Sequence, residues 1–164
     1  MSTRVLARTA LLAAAYAAIT VVLAPISYGP VQVRVSEALT LLPYFWGPWA
    51  AVGLWLGCII ANSWGGFGLL DVVLGCGLTL AAGLLTARMP SLGWAAVPPI
   101  LLNALGVPII LVLMLDVPYW VTVLYVGFGQ VLAVGVLGVP LAAALARRGL
   151  LTRDGQGWGR SGHP

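Results

Sequence analysis

The sequence contains no lysine, and its single histidine, His163, lies in the polar C-terminal segment. Without lysine there is neither a P-loop nor a Schiff-base residue. Without a histidine in the apolar part there is no HExxH zinc site and no Ser-His or Cys-His nucleophile pair. Cys58 and Cys76 lie apart in apolar runs without CxxC spacing, so we interpret them as packing residues. These absences argue against an enzyme and predict no cofactor and no metal.

Charge is also scarce, since only 7% of the 164 residues are charged and 61% are hydrophobic, whereas a globular domain carries roughly 25% charge. Uncharged runs cover 9–33, 38–70, 72–87, 89–115 and 117–146. A membrane-spanning helix needs about 17 to 25 apolar residues. The composition therefore excludes a soluble domain. It favours an all-α, polytopic protein in the lipid bilayer, in which arginines report topology rather than binding to nucleic acid.

Proline and glycine divide the apolar runs into a predicted bundle of six transmembrane helices. We favour an uncleaved first helix over a cleaved signal peptide, because Pro25 would directly follow the cleavage site. Pro98, Pro99, Pro108 and Pro140 should kink the last two helices. The bundle is expected to form one domain over 1–151, followed by a disordered cytoplasmic tail over 152–164. The predicted helices cover about 5–23, 36–45, 48–61, 69–88, 92–115 and 119–148.

The connector between the first two helices has a different pattern. Val31, Val33 and Val35 alternate with polar residues, and this period of two predicts extended backbone with one apolar face. Near a membrane, such backbone must be buried by protein or line a wet cavity. We therefore expect an ordered extracellular loop that folds onto the bundle.

The arginines predict the orientation of the bundle. With six helices both termini lie on one side, and the positive-inside rule places that side in the cytoplasm. Arg34 alone would then lie outside. Seven arginines would be cytoplasmic: Arg4, Arg8, Arg88, Arg147, Arg148, Arg153 and Arg160.

Polar residues converge towards the predicted outer face. Glu37 and Asp71 each lie near the start of a helix, with Arg34 and Asn62 at the same level. A charge at the bilayer centre costs roughly 2.5 to 3.5 kcal/mol, so such residues usually face a cavity or the interface. Helix capping and ligand binding are equally good explanations for either acid alone. Asp116 lies in a short loop, where we expect it to be solvated.

Two amides lie deeper in the membrane. Asn103 and Gln130 stand 12 and 11 positions from the outer ends of the fifth and sixth helices, which places both about 15 to 18 Å down, near the midplane. They either bond helix to helix or form the floor of a pocket below the acids. The tryptophans are similarly ambiguous, because interfacial aromatics are expected in any membrane protein and only one or two would stack on a ligand.

Small residues form a ridge on the first helix. Ala10, Ala14 and Ala18 recur every four residues, and such a ridge lets another helix approach closely. The partner could be a helix of the same bundle or another protein. Gly53 and Gly57 in the third helix are open to the same two interpretations.

The segment GPVQVRVSEALTLLPYFWGPWAAVGLWLGCIIANSWGGFGLLDVVLGCGLTLAAGLLTA, residues 29–87, resembles the QueT-type family of queuosine-precursor transporters. These are substrate-binding S components of energy-coupling factor (ECF) importers. VPPILLNALGV around Asn103 and LYVGFGQVLAVGVLGVPL around Gln130 are also similar. VQVRVSEALTLLP and GLLDVVLG are the most specific strings, since polar residues interrupt membrane sequence in them.

The resemblance implies a subunit in the plasma membrane of a prokaryote that captures a vitamin-like solute from outside. Transport would require a transmembrane coupling protein and two cytoplasmic ATPases, with Ala10, Ala14 and Ala18 as the docking surface. The implied substrate is a 7-deazaguanine base carrying an aminomethyl or nitrile group, bound by Glu37 and Asp71. The resemblance also places further residues at the site: Gln32, Arg34, Asn62, Asn103 and Gln130.

Other functions remain open at this point. The chain could be an S component for a different vitamin or nucleobase. A membrane enzyme could use Glu37 and Asp71 as an acid-base pair, although no nucleophile or metal site accompanies them. A structural subunit without a ligand would keep its function when both acids are neutralised.

Overall fold

The computed structural model describes residues 2–28, 33–66 and 68–153. Gln32 and the segment 154–164 of the predicted tail lie outside this range. The described part consists of helices and short connections, with no strand in it. Its elements are α1 (Thr3–Val22), α2 (Ala24–Ser27), a 3-10 helix (Val35–Leu41), α3 (Leu42–Trp46), α4 (Pro48–Gly65), α5 (Gly68–Leu70), a first π-helix (Asp71–Gly75), α6 (Cys76–Thr86), α7 (Leu92–Ala95), α8 (Val97–Leu115), α9 (Tyr119–Gln130), a second π-helix (Val131–Gly138) and α10 (Val139–Arg147).

Four helical stretches are long and apolar enough to cross a membrane: Thr3–Val22, Gly68–Thr86, Leu92–Leu115 and Tyr119–Arg147. Their ends lie within two residues of the predicted first, fourth, fifth and sixth helices. The agreement follows from composition, because turn residues and charges interrupt the apolar runs at these points. The described part of the chain is therefore helical, and its apolar helices are those of a multi-pass membrane protein.

The prediction of extended backbone is wrong for Val35, where the helical segment begins one residue before the predicted start of the second helix at Ser36. Arg34 is extended, with φ −89° and ψ 98°, but the amide of Glu37 donates to the Arg34 carbonyl at 2.9 Å and starts the 3-10 helix. This helix continues directly into α3. The alternation of apolar and polar side chains did not reveal this local backbone hydrogen bond, which determines the helical conformation of the segment.

Helix α4 is four residues longer than predicted, since it continues through Asn62 to Gly65. The polar and glycine residues after Ala61 suggested a break there. The helix instead ends where Gly66 adopts a left-handed conformation, with φ 75°, which glycine adopts without steric cost. The extension keeps Asn62 on a rigid helix rather than on a loop.

Two π-helices interrupt the longer stretches, and no sequence pattern predicted them. The first begins at Asp71, and the second begins directly after Gln130. A π-helix adds a residue to the turn and is frequently found at functional sites. Both occur beside a buried polar side chain, so they change the helix geometry where those side chains are placed.

Helices α1 and α4 pack backbone to backbone. A Cβ atom at Gly53 would lie 2.7 Å from the Thr9 carbonyl oxygen, and one at Gly57 would lie 2.6 Å from that of Ala13. The two glycines therefore pack within the bundle. Cys58 and Cys76 are fully buried in the adjoining apolar cluster, which confirms them as packing residues.

The packing of α1 on α4 predicts a large difference between two glycine substitutions. Gly57→Val should destabilise the detergent-purified protein by about 1 to 3 kcal/mol or more, because the new side chain meets backbone. Gly77→Val is the matched control, since a Cβ at Gly77 meets nothing within 4 Å. Thermal unfolding of both variants checks this. Equal stability would show that α1 and α4 separate easily.

One end of the bundle, here called the arginine end, collects six arginines. The starts of α1 and α4 meet there, where the Thr9 hydroxyl donates to the Trp49 carbonyl at 3.3 Å. Arg153 joins the end of the described chain to this region, donating to the Met89 carbonyl at 3.0 Å. Exposed Asp116 lies at the opposite end, after α8. The arginines of this end are Arg4, Arg8, Arg88, Arg147, Arg148 and Arg153.

Candidate functional site

Glu37 lies at the centre of the bundle and is 1% exposed. The 3-10 helix that carries it packs against α1, α6 and the second π-helix. The Tyr16 hydroxyl donates to Oε1 of Glu37 at 2.5 Å, and the Asn103 amide donates to Oε2 at 3.2 Å. This carboxylate therefore connects α1 to α8.

Tyr16 is a site residue that the sequence reasoning missed. It is fully buried, and a buried tyrosine usually needs a hydrogen-bond partner for its hydroxyl. A tyrosine within the alanine-rich first helix was the available signal. Its partner Glu37 lies 21 positions away along the chain, so sequence spacing alone did not connect the two.

Arg34 begins a second set of hydrogen bonds. Its Nη1 donates to Oδ1 of Asn62 at 3.1 Å, and its Nε donates to the Ser27 carbonyl at 3.4 Å. The Asn62 amide then donates to the backbone carbonyl of Asp71 at 3.2 Å. The guanidinium carbon also lies 5.4 Å from the centre of the Tyr28 ring. These contacts join the connector to the end of α4 and to the first π-helix.

A small cavity lies between the two hydrogen-bonded sets. Its volume of about 10 Å³ is the space of about one water molecule. Four of the predicted site residues line it, and Asp71 and Asn62 lie directly behind Gly75 in its wall. A Cβ at Gly75 would lie 2.8 Å from Oδ1 of Asp71 and 3.2 Å from Nδ2 of Asn62. The lining residues are Arg34, Glu37, Gly75, Thr79, Asn103, Val107, Val126 and Gln130.

The structure thus brings together six of the seven predicted site residues, and the seventh, Gln32, lies outside the described residues. Asn103 has both of the roles considered for it from the sequence. It donates a hydrogen bond to Glu37 on another helix, and it lines the cavity. Thr79 joins Tyr16 as a residue that the sequence reasoning missed.

Two buried acceptors that lie at the cavity or in its wall have no hydrogen-bond partner among the described residues, Oδ2 of Asp71 and Oε1 of Gln130, and the Ser27 hydroxyl beside Arg34 has none either. A buried polar atom without a partner costs about 1 to 3 kcal/mol. Both acceptor side chains are at least nine-tenths buried. A molecule that presents N–H or O–H donors would satisfy them.

The charges of the cluster do not cancel. Glu37, Asp71 and Arg34 are its charged side chains, which gives a formal charge of one negative unit. Asp116 does not contribute, because it is exposed beyond the end of α8, as expected for a solvated loop residue. The cluster therefore favours a solute that is rich in donors and is neutral or positively charged.

No tryptophan of the described part lines the cavity. Trp49, Trp64, Trp94 and Trp120 are exposed, as interfacial aromatics would be. The aromatic side chains that touch the cluster are those of Tyr16 and Tyr28. The exposure of these four tryptophans fits the interfacial interpretation, and which aromatic side chain would stack on a ligand stays open.

The alanines of α1 divide between two faces. Ala13 and Ala17 are buried, whereas Ala10, Ala14 and Ala18 are exposed. Packing within the bundle therefore uses the first pair and leaves the predicted ridge on the outer surface.

A buried polar cavity among helices of membrane length is a candidate binding site inside a membrane protein. The family model described as QueT transporter matches residues 6–147, a range that includes the six clustered site residues. The chain belongs to the QueT transporter family and is a transporter rather than an enzyme. No curated protein and no solved structure matches it.

Proposed function

We propose that the chain is the substrate-capture (S) subunit of an ECF importer and binds a queuosine precursor, a 7-deazaguanine base such as 7-aminomethyl-7-deazaguanine. The two unpartnered buried acceptors, Oδ2 of Asp71 and Oε1 of Gln130, carry this proposal. They indicate a donor-rich ligand in a bundle whose family transports a solute.

The chemistry of the base complements the cluster. A guanine-like edge presents adjacent N–H donors, which a carboxylate accepts in a bidentate pair. Asp71 is the acid with an unused oxygen, so we assign that edge to it. Glu37 keeps spare lone pairs, because each of its oxygens accepts one bond. An aminomethyl cation would compensate the single negative charge of the cluster.

The cavity must enlarge to hold such a base, since it has room for about one water molecule. Arg34 and Glu37 reach it from the two ends of one short stretch, so moving this stretch enlarges the cavity. The contact of Asn103 with Glu37, at 3.2 Å, joins that stretch to α8. Capture then consists of separating these contacts and replacing them with bonds to the base.

We further propose a six-helix arrangement with the arginine end in the cytoplasm. Six described arginines lie at that end, and none of the described acids does. The positive-inside rule then places the described start of α1 and the end of α10 in the cytoplasm of a prokaryote. Substrate would approach from the opposite, outer side, where the connector after α1 carries Arg34.

Two kinds of partner complete the importer in this proposal. The exposed ridge of Ala10, Ala14 and Ala18 is the docking surface for a transmembrane coupling protein. Two cytoplasmic ATPases would supply the energy, since the sequence lacks the lysine of a P-loop.

Thermal unfolding of the detergent-purified protein with a panel of bases tests the substrate. A base at 100 times its dissociation constant should add about 2.7 kcal/mol of stability. The panel contains 7-aminomethyl-7-deazaguanine, its nitrile precursor, queuine and guanine, with riboflavin as an unrelated control. We expect a selective shift with one deazaguanine. A shift with riboflavin alone would instead indicate an S component for another vitamin, and would contradict the proposed substrate.

A further inference from the structure

Gly75 is the one glycine among the described residues that line the central cavity. It ends the first π-helix, four positions after Asp71, and residues at this spacing lie on the same side of a helix. Asp71 itself does not line the cavity, although the proposed function assigns the guanine-like edge of the base to it. Gly75 therefore lies where the Asp71 carboxylate would have to meet a ligand.

The backbone conformation of Gly75 does not require a glycine. Its φ of −61° and ψ of −45° are those of an ordinary right-handed helix. A glycine inside a helix is also less favourable than an alanine, because its backbone loses more freedom on folding. What the glycine contributes at this position is therefore the space that a side chain would fill.

That space is occupied by two polar side chains. A Cβ atom at Gly75 would lie 2.8 Å from Oδ1 of Asp71 and 3.2 Å from Nδ2 of Asn62, and the first distance is closer than a Cβ atom approaches another atom. An alanine would therefore displace the carboxylate. Both neighbours are ends of side chains that can turn away, whereas the nearest atom at Gly57 is a backbone oxygen. The helix can thus keep its position when the carboxylate moves.

The carboxylate has an oxygen to offer to a ligand, because Oδ2 of Asp71 has no hydrogen-bond partner in the described structure. Gly75 places no side chain between this carboxylate and the cavity. A guanine-like edge presents a ring N–H and a 2-amino group side by side, and a carboxylate accepts both in a bidentate pair. A base without the 2-amino group leaves one of the two bonds unmade, and a site built for such a bond discriminates against it.

We propose that Gly75 is a specificity-determining residue of the substrate site. Because it leaves the Asp71 carboxylate open to the cavity, the site selects bases that carry a 2-amino group beside the ring N–H. This inference rests on the proposed function and adds a positioning residue to it, since Gly75 acts through Asp71.

Affinities for two bases that differ in one group test the proposal. The bases are 7-aminomethyl-7-deazaguanine and its analogue without the 2-amino group, titrated into the full-length protein in detergent and followed by thermal stability. The unchanged protein should prefer the first base by about tenfold or more, because the second loses a charge-assisted hydrogen bond. Gly75→Ala should reduce this preference to less than about threefold. Its unfolding temperature without ligand should stay within about 4 °C of that of the unchanged protein.

Two further variants separate the effect on Asp71 from a general disturbance. Gly77→Ala is the matched control, since Gly77 is exposed on α6 and a Cβ atom there meets nothing within 4 Å; it should keep the full preference. The second is Asp71→Asn with and without Gly75→Ala. Adding the alanine should change the preference by less than about twofold, because the carboxylate on which the glycine acts is already absent.

Several outcomes would overturn the inference. One is a full preference in Gly75→Ala, and another is a further loss when this change is added to Asp71→Asn, which would show that Gly75 acts independently of Asp71. Unfolding of Gly75→Ala would show that the glycine is needed for packing instead. Equal affinity of the unchanged protein for both bases would overturn the inference alone and leave capture of a base intact. Binding of neither base would contradict the proposed function, and the inference would fail with it.

Discussion

Asp71→Asn should lower the affinity for the captured base at least about tenfold, since a charge-assisted hydrogen bond contributes roughly 1.5 to 3 kcal/mol. The fold should survive the change. Oδ2 of Asp71 has no hydrogen-bond partner in the described structure, and the bond from Asn62 goes to the backbone carbonyl of residue 71. The substitution thus removes no side-chain hydrogen bond of Oδ2, although it also removes the electrostatic attraction between Asp71 and Arg34. Ligand titration followed by intrinsic fluorescence or thermal shift measures the loss.

Asp116→Asn is the matched control for this experiment. It makes the same chemical change on an exposed residue at the opposite end of α8 from the arginine end, so affinity should stay within about twofold. If Asp71→Asn binds the base as tightly as the unchanged protein, Asp71 does not contact it. If it unfolds instead, the carboxylate has a structural role, and the prediction that the fold survives the change is wrong.

Ala14→Phe should abolish uptake in cells that supply the coupling protein and ATPases, while the purified variant still binds its base. Ala14 is exposed in the middle of the ridge on α1, where a bulky ring would hold another helix away. The face of α1 that contacts α4 and Glu37 is unchanged. Uptake of labelled base and binding to the solitary protein are measured on the same variant.

Ala81→Phe provides the comparison, because Ala81 is also an exposed alanine of a membrane-length helix, on α6. It should leave both uptake and binding intact. Equal loss of uptake in the two variants would indicate that any bulky residue on the surface disturbs insertion. A loss of binding in Ala14→Phe would show that the ridge packs within the protein and is not a docking surface.

The sequence predicted the long helices well because the bilayer restricts what they can contain. Apolar runs must be long, and charges must lie at their ends or face a protected site. The same restriction made Glu37, Asp71, Asn103 and Gln130 conspicuous, and the structure brings all four together. A polar side chain in such a sequence already suggests an interior position.

The missed features depend on contacts between distant segments. The hydroxyl of Tyr16 reaches Glu37 only because α1 packs against the 3-10 helix. The π-helices are set by backbone hydrogen bonds, which have no signature in hydropathy. The 3-10 helix at Val35 also overrides a side-chain alternation that is typical of extended backbone. Local pattern therefore predicted the extent of the helices better than their internal geometry.

The position of helix α1 links binding of the base to binding of the partner protein. Tyr16 on its inner face bonds the central carboxylate, and Ala14 and Ala18 lie on its outer face. If occupancy of the cavity shifts α1, it also shifts the surface offered to a partner. Thermodynamic linkage is reciprocal: the factor by which bound base changes the affinity for the partner equals the factor by which the partner changes the affinity for the base. A partner that weakens base binding is therefore itself bound less tightly by the loaded subunit than by the empty one.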